Sequence, residues 1–160
     1  MATPARRMNI IPSVLDRLLD DAPQEPRDGP STMSQDLDLF KAQVRRDLEA
    51  MLNTRQESPG DLSSYPELER SLLAYGLPDF TTFSLQSETD RARMREAIES
   101  AIRRFEPRIM EAAVIVEAPA QRNQQLAFRV EGYLRVDPVP APVSFDAVLQ
   151  LSTQQYQIRG

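Results

Sequence analysis

Leu126-Ala127-Phe128-Arg129-Val130-Glu131-Gly132-Tyr133-Leu134-Arg135-Val136 alternates apolar and polar side chains along almost its whole length. Leu126, Phe128, Val130, Leu134 and Val136 point one way, and Arg129, Glu131, Tyr133 and Arg135 the other. Successive side chains of a strand face opposite sides, so this pattern describes a strand with one buried and one wet face. Gly132 breaks the alternation and is read as the mark of a bulge. The same period recurs downstream, where Val143, Phe145, Ala147, Leu149 and Leu151 alternate against Ser144, Asp146 and Gln150. Upstream, Ile109 to Glu117 is a nearly continuous apolar run through Val114, Ile115 and Val116, which predicts a strand covered on both faces for part of its length. The connections, Ala118 to Gln125 and Asp137 to Pro142, are too short for a parallel return, which needs about a dozen residues. Three antiparallel strands in a meander follow.

Before Pro107 the apolar period is close to four. Leu37, Phe40, Val44, Leu48, Met51 and Leu52 predict a long helix from Ser34 onward. Ser64 with Glu67 opens a shorter one through Leu68, Leu72 and Leu73, ending at Tyr75-Gly76. Ser87 with Asp90 opens a third, whose stripe is Met94, Ile98, Ala101, Ile102 and Phe105, and Pro107 closes it. Arg91, Arg93, Arg95, Arg103 and Arg104 lie opposite that stripe among Glu88, Glu96 and Glu99, a mixed-sign solvated face. The fold class is α+β: N-terminal helices packed on a C-terminal antiparallel three-stranded meander.

The chain divides at its prolines. Residues 1–33 hold a short helix start, Ser13-Val14-Leu15-Asp16-Arg17-Leu18-Leu19, and a Pro-rich linker from Asp20 to Thr32; residues 34–160 form a single α+β domain. Leu15, Leu18 and Leu19 share one face of that short helix. About two turns of helix are marginal alone in water, so the face docks on the chain's own core or in a partner's groove.

Composition limits the chemistry. The 160 residues contain no histidine, cysteine or tryptophan, which removes thiolate nucleophiles, histidine-based catalytic pairs and imidazole or thiolate metal sites. A net charge of −5 argues against a nucleic-acid partner. No apolar stretch approaches the roughly 20 residues of a membrane span, so no direct membrane insertion and a cytoplasmic location are expected. Five scattered glycines build no nucleotide-binding loop, and no cofactor is expected. Asp20-Asp21 and Asp36 with Asp38 read as solvated acids, not as metal ligands. A glycosidase needs two carboxyls, one with a raised pKa. Glu106 is flanked by Arg104 and Arg108, cations that lower a carboxyl pKa, so no catalytic residue is assigned. Glu106-Pro107-Arg108 has two readings: a helix stop with an intramolecular salt bridge, or a rigid corner presenting a charge pair to a neighbour.

Five segments in order resemble the TssE family of type VI secretion baseplate subunits, related to phage-tail wedge proteins historically labelled lysozyme-like. They are Ser13 to Leu18, Leu48 to Arg55, Ser71 to Asp79, Phe105 to Arg108, and Val143 to Asp146. Leu15 and Met51 stand where the family commonly has Phe and Leu. The resemblance implies a non-catalytic assembly protein that joins TssF, TssG and TssK in baseplate wedges docked at the inner membrane complex and meets the sheath subunits TssB and TssC. It implies wedge contacts at Glu106, Pro107 and Arg108, to which the apolar face of Leu15, Leu18 and Leu19 is added. It also implies a sheet edge that accepts sheath strands; an open meander leaves edge N–H and C=O groups for such addition. The expected acceptor is the last strand, with Val143, Phe145, Ala147, Leu149 and Leu151. The competing expectation is a peptidoglycan-cleaving, lysozyme-like glycosidase.

Overall fold

The structure is a computed structural model and describes Ile10 and residues 13–19, 33–57, 64–117, 125–150 and 155–159. The expected linker over 20–32 lies outside the described residues, as does Leu151. The element order is α1 (Val14–Leu18), α2 (Met33–Leu52), α3 (Pro66–Glu69), a 3₁₀ turn (Leu72–Ala74), α4 (Glu88–Phe105), β1 (Ile109–Val116), β2 (Gln125–Leu134), β3 (Ala141–Gln150) and β4 (Gln155–Arg159).

α2 and α4 form because each carries one apolar stripe that the sheet can cover. Phe40, Val44, Leu48, Met51 and Leu52 of α2 and Met94, Ile98 and Ile102 of α4 are buried together with the inward residues of the strands. Ser87 caps α4 by accepting the Asp90 N–H at 3.2 Å. The helix expected from Ser64 is instead two pieces: α3 starts after Tyr65 without a side-chain cap and buries no residue, so nothing holds it together through to Leu72. Gly76 then turns the chain with φ of +97°, and a Cβ there would lie 2.2 Å from the Thr54 oxygen. This close approach lets Leu77 bond both Thr54 and Gln56 and ties the end of α2 to the following loop.

The sheet is an antiparallel meander of four strands in the order β1-β2-β3-β4, one more than expected. β4 carries two inward residues, Tyr156 and Ile158, alternating with Gln155, Gln157 and Arg159, a pattern too short to read as a strand by period alone. Its pairing with Asp146–Gln150 corrects the expectation that β3 is the outer strand. Val143, Phe145, Ala147 and Leu149 face the core, and over residues 146–150 both sides of β3 are paired.

β1 is not covered on both faces, since Ile115 is exposed and burial alternates along the strand. The bulge lies in β1, between Met110 and Ala113, with Glu111 at φ 53°. Gly132 sits opposite it. A Cβ on Gly132 would meet Ile109 Cγ2 at 2.8 Å and the Met110 oxygen at 2.9 Å, so the glycine makes room for the bulge in its neighbour.

Candidate functional site

Five charged side chains meet where α1, α2 and the corner between α4 and β1 come together. Glu106 is the C-cap of α4, and Pro107 turns the chain directly into β1. The short corner throws Arg108 back on Glu106: Arg108 Nε donates to Glu106 Oε1 at 2.7 Å and Nη2 to Oε2 at 2.6 Å, a two-pronged pair. Arg108 Nη2 also donates to Asp47 Oδ2 at 2.7 Å, and Nη1 to Asp16 Oδ2 at 3.3 Å. Arg46 Nη2 closes the ring, donating to Asp16 Oδ1 at 2.6 Å and Asp47 Oδ1 at 2.7 Å. Beneath it, the Arg108 guanidinium lies 6.0 Å from the centre of the Phe40 ring.

Glu106 is only 4% exposed. Its two oxygens face Arg108, so the intramolecular salt bridge is formed and the carboxylate does not reach solvent. Burial opposes the charge on Arg108, but bonding to Glu106 and Asp47 more than offsets it and raises the guanidinium pKa. Burial likewise works against the Asp16 carboxylate, yet bonds from Ser13 and Arg46 prevail and hold its pKa below the ordinary value.

Asp16 reveals how α1 is held. Ser13 and Asp16 form a reciprocal capping box, with Ser13 N–H and Oγ donating to Asp16 Oδ2 at 2.9 and 2.7 Å. The Asp16 side chain has no exposed surface, whereas Leu18 is 76% exposed and Val14, Leu15 and Leu19 are exposed as well. The short helix therefore docks on its own body through an acid, and the apolar face of Leu15, Leu18 and Leu19 is left to solvent. Neither docking mode expected from the sequence included this anchor. The Ser13–Asp16 spacing is a visible cap signal, but it gives no hint of a bond to Arg46, 30 residues away.

The outer strands carry a second feature. The Glu117 N–H donates to the Ala127 oxygen at 2.9 Å, so by alternation Val114 and Val116 turn their main-chain groups away from β2. Glu99 of α4 accepts the Val114 N–H at 3.0 Å. On the opposite margin, Asn53 Oδ1 accepts the Tyr156 N–H at 2.8 Å while its Nδ2 donates to the Tyr156 oxygen at 2.9 Å. Asn53 thus pairs with β4 as a peptide group would, filling donor and acceptor together; the Glu99 carboxylate fills only a donor.

Lysozyme-like chemistry finds no fitting pair in this ring. Glu106 is engaged on both oxygens by a cation, and the Asp16 pKa moves in the direction opposite to that of a general acid. Among the described residues no group of Asp and Glu could hold a metal ion.

A model of the family described as baseplate wedge protein gp25 matches residues 39–139. A solved chain from a structure described as the baseplate complex from the type VI secretion system is 18% identical with a TM-score of 0.43, covering 69% of this chain and 97% of that one. No curated protein matches the sequence.

Proposed function

This chain belongs to the baseplate wedge protein gp25 family, and from that premise we propose that it is a structural, non-catalytic subunit of a type VI secretion baseplate. It joins wedge neighbours of the TssF, TssG and TssK kinds and gives the sheath subunits TssB and TssC a platform. The observation that carries this reading is α1, a capped helix anchored by a buried acid with its leucines exposed, a form suited to filling an apolar groove on a neighbour. The Glu106-Pro107-Arg108 corner lies directly behind it.

The wedge contact is tested by capture of the TssF–TssG pair. A variant with Leu15→Ser, Leu18→Ser and Leu19→Ser should keep its circular dichroism spectrum and lose most of the capture, because these side chains contribute little to the body's own core. Undiminished capture would reject this face as the contact.

Sheath strands add to the β1 margin in this reading. There the Glu99 carboxylate accepts the Val114 N–H and, having no N–H of its own, gives nothing to the strand's carbonyls, whereas Asn53 both accepts from and donates to Tyr156. Glu99→Ala should raise binding of the TssB–TssC pair severalfold and Asn53→Ala should not; the reverse order would move the contact to β4.

A further inference from the structure

The corner assigned above to the wedge contact is closed in this structure. Glu106 is buried, Arg108 keeps 14% of its side-chain surface, and Asp16 covers the remaining donor, Nη1. We propose that Arg46 and Arg108 form a receptor for a carboxylate of a neighbouring wedge subunit, and that Asp16 occupies this receptor within the chain until the neighbour displaces it. The inference rests on the wedge-contact reading.

The charge arithmetic of the ring supports exchange. Asp47 and Glu106 balance Arg46 and Arg108 without Asp16: Arg108 retains both oxygens of Glu106 and one of Asp47, and Arg46 retains Asp47 through Nε and Nη2. Departure of α1 therefore strands no buried ion on the body, which is the event that makes breaking such networks costly. It frees two donors, Arg46 Nη2 toward the former Asp16 Oδ1 and Arg108 Nη1 toward Oδ2. They converge on the two oxygens of one carboxylate. Asp16 returns to water, where an acid is well solvated, and the exposed leucines lose little contact on leaving. A five-residue helix does not stand alone in water, so release favours a state in which a neighbour's groove takes the leucines while its acid takes the receptor.

The measurement combines amide exchange on the free chain with capture of the TssF–TssG pair, for wild type, Asp16→Asn, and Asp16→Asn with Arg46→Gln. Asp16→Asn should speed exchange over residues 14–19 by about tenfold or more, leave α4 unchanged, and increase capture. Arg46→Gln added to it should return capture to wild-type level or lower. Unchanged exchange in Asp16→Asn overturns the latch. Faster exchange with reduced capture overturns it too, since the seated helix would then be the binding form. Capture indifferent to Arg46→Gln overturns the receptor. Absence of capture by all three forms overturns the wedge reading and the receptor with it, while exchange on the free chain still decides the latch.

Discussion

α1 and α4 begin alike and are held in opposite ways. Each opens with serine three residues before aspartate, and in each the serine hydroxyl accepts that aspartate's N–H. In α4 the half-buried aspartate accepts the main-chain N–H of nearby Ser84 at 3.0 Å, while Met94, Ile98 and Ile102 sink into the core. In α1 the aspartate is buried between two arginines and the leucines stay outside. The same start signal thus precedes a helix owned by the core and a helix lent to the surface. A cap says where a helix begins; what faces the residues one turn later decides what it is for.

This contrast predicts a graded series. Ile98→Ala opens a cavity under α4 and should cost about 2–5 kcal/mol of global stability, read as a shift in the denaturant midpoint. Asp16→Asn should cost about 1–2 kcal/mol, in keeping with about tenfold faster exchange over α1, and should leave the core of α4 in place. Leu18→Ser should fall within about 0.5 kcal/mol of wild type, as expected for an exposed side chain. A large loss from Leu18→Ser would show that α1 is core after all.

Much of this fold is legible in the sequence, and the limits are physical. α2, α4, β2 and β3 each carry enough inward residues to impose their period. β4 has two, and its place in the sheet is fixed by Asn53 and by pairing with β3, neither of which leaves a periodic trace. Ile115 belongs to an apolar run yet lies on the open face, because a run without polar interruptions does not state how many faces are covered. Glu106 and Arg108 are adjacent enough to be noticed as a pair. Their junction with Asp16, Asp47 and Arg46 is not, since Arg108 reaches back 92 residues to Asp16 and 61 to Asp47. Pairing over such separations is set by the packing of α2 against the sheet and α1.

α1 is held by charge and α4 by apolar burial, and acid separates the two. The Asp16 pKa is lowered in the folded chain, so its contribution is complete above the unfolded value of about 3.9 and is lost as pH falls through the lower folded value. Amide protection factors, corrected for the intrinsic pH dependence of exchange, should be followed for residues 14–19 and 94–102 from about pH 7 to about pH 3 and below. The expected result is loss of protection in α1 while α4 keeps its own. Loss of both together, or an α1 indifferent to acid, would contradict a helix held by charge.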